Sequence, residues 1–258
     1  MSTTTPRLYV EDDLSAGQAL RLDRDASHYL VTVMRRAPGD AVRLFNGRDG
    51  EWIAEVTDAH RKAAILTPLE QSRVQTRVPD LWLLFAPVKR AKTDLIVEKA
   101  VEMGVARICP VETRRTQSDR IRLDRFEAIA REAAEQTERL DLPAIDPLAR
   151  LDTVLDGWDT DRVLIFADEA GDEANIAWGG QAGRAAPMPE QIASLRGRPA
   201  AILAGPEGGF TREERDHLRS LDCVCPVTLG PRILRAETAV IAALTVWQSV
   251  CGDWLDRE

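Results

Sequence analysis

The chain has 258 residues, 44% of them apolar and 29% charged, enough for a sizeable buried core and for two domains. Thirty-four Lys and Arg against 42 Asp and Glu give a net charge of −8, which excludes a uniformly basic nucleic-acid coat but leaves room for a local basic groove. Four cysteines (Cys109, Cys223, Cys225, Cys251) have the spacing of neither a disulfide framework nor a zinc ribbon, and three scattered histidines suggest no metal site. The longest apolar run, Ala239–Trp247, falls far short of the roughly 20 residues a membrane span needs, and Met1–Arg7 holds no apolar signal-peptide core. The expectation is a cytoplasmic protein that uses no metal.

The first part of the chain reads as short strands and turns. Arg7–Val10 is strand-like, and His28–Arg36 carries apolar residues (Tyr29, Leu30, Val33, Met34) at helical spacing. Pro38-Gly39-Asp40 turns the chain into the strand Ala41–Phe45. Asn46-Gly47 and Asp49-Gly50 are hairpin signals before the alternating Glu51–Val56. A compact β-barrel with a small helix is expected. Glu70–Pro79 is polar and without periodicity, which marks it as the linker.

After Pro79 the pattern changes to strands alternating with helices, the signature of an α/β domain around a largely parallel sheet. Leu81–Ala86, Val105–Val111, Arg162–Ala167, Pro199–Ala204 and Cys223–Leu229 are apolar runs suited to buried strands. Helices are expected at Lys92–Met103, stopped by Gly104, and at Arg125–Arg139, Arg212–Ser220 and Ala236–Val250. Thr211-x-x-Glu214 is a capping box. Gly171–Pro189, rich in Gly, Ala and Pro, reads as a mobile loop.

Charge is unevenly placed. Residues 84–125 hold ten basic against six acidic side chains, whereas residues 126–258 hold thirteen against twenty-four. A polyanion would therefore be met by the middle of the chain. Arg120–Arg125 reads equally well as a solvated helix face. Asp94, Glu98 and Glu102 share one helix ridge, where they need basic neighbours or solvent.

Two strand ends carry the chemistry. Ala204-Gly205-Pro206-Glu207-Gly208-Gly209 puts glycines at the carboxyl end of a parallel strand, where such sheets bind ligands. It has the spacing of neither a P-loop nor a dinucleotide fingerprint. A tight turn alone is the plainer alternative. Leu229-Gly-Pro-Arg-Ile-Leu-Arg-Ala-Glu-Thr238 brings Arg235 and Glu237 together at a helix start, where amide donors gather. Glu237 also suits the positive end of the helix dipole without any further role.

Together these stretches resemble the SPOUT-class ribosomal RNA small subunit methyltransferase E family, which forms N3-methyluridine in 16S ribosomal RNA. Supporting matches are Arg7–Val10, His28-Tyr-Leu with Val33-Met-Arg35 and Pro38–Asp40, Glu98–Val105, Arg115, Glu135-Gln136 with Arg139, and Pro143–Ile145. Glu138, where a small residue is usual, and Asp141 depart from the pattern by making that segment more acidic. The resemblance implies a PUA-like β-barrel RNA-binding domain over residues 1–72 and a SPOUT methyltransferase domain over residues 78–258 with a C-terminal trefoil knot. It also implies a homodimer acting on 16S ribosomal RNA, within the small ribosomal subunit, with no membrane partner. S-adenosylmethionine would contact Leu203, Gly205, Pro206, Glu207, Gly208, Gly209, Leu229, Gly230, Leu234, Arg235, Glu237 and Thr238, with Phe166–Glu169 closing a third side.

Chemistry on uracil N3, which faces the paired strand in a duplex, requires an unpaired base held near the methyl donor. Arg235 is the expected stabiliser of charge developing on the base. Glu237 would orient Arg235 or accept the proton. Arg7, Arg35, Lys89, Lys92, Lys99, Arg115 and Arg139 are the RNA-contact candidates, supplying phosphate affinity. Two other readings stay open: a related knot enzyme acting on a ribose 2′-hydroxyl or on tRNA, and a non-catalytic RNA-binding or ribosome-assembly protein.

Overall fold

The computed structural model describes residues 5–117, 120–171, 175 and 183–255. The chain forms two compact units. One comprises Met1–Arg77 with Ala134–Leu142, and the other Val78–Ala133 with Pro143–Glu258.

The first unit is built on five strands, β1 (Arg7–Tyr9), β2 (Leu20–Arg21), β3 (Ala41–Phe45), β4 (Glu51–Asp58) and β5 (Ile65–Arg73), in the order β1-β3-β4-β5-β2. Its core is apolar: Leu8, Leu30, Val42, Leu44, Val56 and Leu66 are buried together. Helix α1 (Arg24–His28) is capped by the Asp23 side chain and runs into a π-helical turn over Tyr29–Val33. The expected linker is in part strand, because β5 continues to Arg73 and pairs antiparallel with β4 from Ile53 back to Glu51. Its last residues keep their side chains largely in solvent, so backbone pairing holds them and no apolar alternation marks them.

Arg7 has a different role from the phosphate contact expected of it. It is buried, and its Nε donates to Glu51 Oε2 at 2.7 Å. Its terminal nitrogens donate to the carbonyls of Ala134 (2.7 Å) and Arg139 (2.9 Å), and the guanidinium lies 4.4 Å from the Phe45 ring centre. Burial alone would push the Glu51 carboxyl up, but the Arg7 hydrogen bond and charge, with Ser72 and Arg43 adding to them, hold it below the usual carboxylate range. Arg139 is buried as well, with Nε donating to Asp141 Oδ1 at 2.6 Å. Neither arginine is placed to meet RNA. Both belong to the scaffold that ties residues 134–142 to the strands of this unit.

The second unit carries a parallel sheet of β6 (Leu81–Phe85), β7 (Arg107–Glu112), β8 (Ala144–Ile145), β10 (Val163–Ala167), β11 (Ala200–Ala204) and β12 (Val224–Val227), in the order β12-β10-β11-β6-β7-β8. The two-residue β9 (Ala149–Arg150) pairs with β7 beside this path. Every residue of β11 is buried, and Leu83, Phe85, Ile165 and Phe166 are essentially inaccessible to solvent. The helices are α2 (Arg90–Glu102), α3 (Leu123–Gln136), α4 (Leu151–Asp156), α5 (Met188–Ile192), α6 (Arg212–Arg219) and α7 (Ala236–Val250).

Three helix ends have identifiable causes. Gly104 follows α2 at φ +73°, the left-handed stop its position suggested. Glu138 takes the same region at φ +63°, beyond the end of α3, so the helix expected to reach Arg139 finishes at Gln136. The capping box at α6 forms, with Thr211 Oγ1 accepting from the Glu214 amide and the Glu214 carboxylate accepting from the Thr211 amide. Arg120 and Arg122 precede α3 and are not on its face; Arg125 pairs with Asp94 at 2.6 Å.

Of the loop expected at Gly171–Pro189, residues 172–174 and 176–182 lie outside the described residues, and its end, from Met188, is the start of α5. Helix α7 packs on α2 and α5 and buries Val240, Leu244 and Trp247 within its own unit. Among the described residues no helix is long and apolar enough to cross a membrane, and no three His, Cys, Asp or Glu side chains group as metal ligands.

Candidate active site

Parallel pairing aligns the carboxyl ends of the central strands: Phe166 stands opposite Leu203, Ala167 opposite Val227, and Phe85 opposite Ala204. The loops that follow β10, β11 and β12 therefore emerge side by side where strand order reverses, the position at which open α/β sheets take ligands. The Glu169 carboxylate links two of them, accepting from the Leu229 amide at 2.9 Å and the Thr228 hydroxyl at 3.2 Å. Burial pushes Glu169 above the usual carboxylate range, and these two hydrogen bonds only partly oppose it. Asp168, buried, takes Arg215 Nε at 2.8 Å and Arg219 Nε at 2.8 Å, so α6 holds the loop after β10 by its start.

The glycines after β11 are needed first for packing. A side chain at Gly205 would meet the Phe210 ring at 2.6 Å, and Phe210 stacks edge-on against Phe166. At Gly208 it would meet Arg115 Cβ at 3.3 Å, and Arg115 donates to the Gly208 carbonyl at 2.8 Å. The room at both positions is thus occupied by protein, a signal that spacing alone could not separate from a ligand cradle. Gly230 differs: it lies at φ +116° with nothing within 4 Å of where a side chain would project. Gly230 thus leaves room that the two earlier glycines do not.

Of the charged candidates, Arg235 is exposed at the N-cap of α7, and Glu237 lies in the first turn of that helix. The cation beside Glu237 is Lys92, from the first turn of α2, with Nζ 3.2 Å from Glu237 Oε1 and 4.0 Å from Glu207 Oε1. Glu237, expected to orient Arg235 or accept a proton, forms its ion pair with Lys92. Glu237 Oε2 is buried without a hydrogen-bond partner among the described residues. Lys99, also expected at RNA, is bracketed by Glu98 and Glu102 at 2.7 Å each, bonds that raise its affinity for its proton. Arg35, in the first unit at φ +55°, Lys89 and Arg115 are exposed. A cavity of about 270 Å³ opens at the other end of the sheet, between Asp80, Pro199 and Gly252, and includes none of the candidate residues.

The RNA methyltransferase domain family matches residues 75–248, and the RNA methyltransferase PUA domain family matches residues 22–69. Ribosomal RNA small subunit methyltransferase E of Rickettsia conorii is 31% identical over 239 residues, covering 92% of this chain and 93% of its own. The chain belongs to the ribosomal RNA small subunit methyltransferase E family. The Synechocystis member of the family is 32% identical over 92% of this chain and 75% of its own. The crystal structure of the Neisseria gonorrhoeae member, bound to S-adenosyl methionine, superposes with a TM-score of 0.79 at 27% identity, over 97% of this chain and 99% of the other.

This chain's residues fit the cofactor that the family implies. A buried carboxylate oxygen with no donor among the described residues, at Glu237 in the first turn of α7, and the open space at Gly230 both follow β12 in the chain. A sugar hydroxyl, an amine or an imide N–H would satisfy the first, and a bulky ligand could occupy the second.

Proposed function

We propose that the protein transfers a methyl group from S-adenosylmethionine to N3 of a uridine in 16S ribosomal RNA, in the cytoplasm, as a homodimer acting on the small ribosomal subunit. The observation that carries this reading is Glu237, in the first turn of the helix that follows β12, whose Oε2 is buried and lacks a donor among the described residues. When bound, the cofactor supplies a methyl group activated by an adjacent sulfonium. Leu203, Gly205 to Gly209, Leu229, Gly230, Leu234 and Thr238 would hold it, at the end of β11, on the loops after β11 and β12 and at the start of α7.

Arg235 donates to the uracil carbonyl oxygen as negative charge develops there, a task suited to an exposed guanidinium at a helix start. Glu237 receives the N3 proton. Arg35, Lys89 and Arg115 contact phosphate, Lys99 is held by Glu98 and Glu102, and Arg7 and Arg139 serve the scaffold. In the same reading residues 1–72 form a PUA-like barrel that grips RNA, and residues 78–258 form a SPOUT domain whose C-terminal part is a trefoil knot.

The test is product analysis. Small subunits lacking the modification are incubated with the protein and cofactor, and the RNA is digested to nucleosides. N3-methyluridine is expected, and a 2′-O-methyl nucleoside or no methylated nucleoside overturns the reading.

A further inference from the structure

We propose that Lys92 is a positioning residue for methyl transfer: it holds Glu237 Oε1 so that Oε2 faces the substrate as the proton acceptor. The inference rests on the methyltransferase reading above and deepens it at one residue, which the sequence alone had placed among the phosphate contacts.

Packing brings the two residues together. Helices α2 and α7 lie side by side and run the same way: Lys92 meets Glu237 at their first turns, while Gln248 Nε2 donates to the Met103 carbonyl near their ends. Lys92 Nζ sits between two carboxylates, at 3.2 Å from Glu237 and 4.0 Å from Glu207, with less than a third of its side chain exposed. A phosphate would have to displace both.

A donor to Glu237 Oε2 is what remains unsupplied among the described residues. A buried carboxylate oxygen without a donor is costly, so the working complex should bring one. A carboxylate only accepts, which restricts the donor to an N–H or O–H group. The uracil N3–H is such a donor. As its proton passes to Glu237 Oε2, the N–H electron pair stays on N3 and forms the bond to the methyl carbon. The pair of the breaking carbon–sulfur bond goes to sulfur and cancels its charge. Lys92 balances the carboxylate before transfer and fixes which oxygen is free.

The experiment compares wild type, Lys92→Met, Lys92→Arg, Glu237→Gln and the double variant Lys92→Met/Glu237→Gln. Single-turnover methylation is run with saturating small subunits and cofactor. Cofactor affinity is measured by calorimetry and RNA affinity against salt.

Glu237→Gln should lose about 10²–10⁴-fold in the chemical step, the range for one proton-transfer group. Lys92→Met should lose at least about tenfold, with cofactor and RNA affinities within about threefold of wild type and an unchanged salt slope. Lys92→Arg should recover most of the rate, and the double variant should be no slower than Glu237→Gln alone, because the lysine acts through the glutamate. A wild-type rate in Lys92→Met overturns the proposal. So does a salt slope lowered by about one, which would restore the phosphate contact, or a cofactor affinity weakened more than about tenfold in Glu237→Gln. A wild-type enzyme that makes no N3-methyluridine defeats the broader reading instead. If Lys92→Met does not fold, Lys92→Gln, alone and combined with Glu237→Gln, is read by the same criteria: a wild-type rate in the single variant, or a double variant slower than Glu237→Gln alone, overturns the proposal.

Discussion

Each unit of this protein contains a cation–glutamate pair, and the two are completed differently. In the first, Arg7 and Glu51 are both buried and both fully engaged, the arginine by carbonyls and the glutamate by Ser72 as well as Arg7. In the second, Lys92 pairs with one oxygen of Glu237 and the other is left without a donor. A satisfied buried network specifies structure; one with an open acceptor is waiting for a ligand. The same residue types therefore divide into scaffold and site by what remains unbonded, and charge alone would not have told them apart.

The comparison breaks most sharply at Arg7. Arg7→Met should cost about 3–5 kcal/mol of stability, since it strands Glu51 in the interior, while cofactor affinity stays unchanged. Urea melts read the first and calorimetry the second. The gap should also depend on pH in a definite direction. Glu51 is held below its unfolded value, so its contribution is present above about pH 4.3 and is lost as pH falls through the folded value. Melts at pH 7 and in acid should show the wild type and Arg7→Met converging at the lower pH. A constant gap would mean that the carboxylate is not what the arginine stabilises.

Gly208→Val should act less strongly and by a route specific to its surroundings. The new side chain presses on Arg115 and disturbs the hydrogen bond from Arg115 to the 208 carbonyl, for a cost of about 1–3 kcal/mol. Cofactor affinity should fall through displacement of the loop, and an Arg115→Ala background should relieve part of that loss. Unrelieved loss in the double variant would point to direct occupation of the ligand's space. The smallest effect is expected at Arg35. Arg35→Ala should leave stability and cofactor affinity alone and lower the salt slope of RNA binding by about one. An unchanged slope would remove this arginine from the RNA surface.

The readability of the chain followed the physical range of each signal. Helix α7 runs from Ala236 to Val250 as its composition indicated, and Gly104 and the Thr211–Glu214 box, which act over three or four residues, stand where they were expected. The apolar strands β6, β10 and β11 were legible because burial on both faces leaves no other composition available. The outer half of β5 was not, since its side chains bury nothing and only its backbone is paired. The fates of Arg7 and Lys92 depend on partners distant in sequence. Lys92 and Glu237 lie on two different helices, and only the packing of α2 on α7 brings them together.

The place of β11 also governs how this chain leaves the ribosome. In the finished sheet β11 lies between β6 and β10, although both are synthesised before it. Until Ala200–Ala204 emerges, each of those strands has an apolar edge whose amides and carbonyls lack their native neighbour, a template for pairing with other chains. Strand β11 joins β6 to β10 and the later β12 covers the remaining edge of β10, so a nascent chain stalled before Pro199 should be captured by chaperones or aggregate, and one stalled after β12 has emerged should be captured far less.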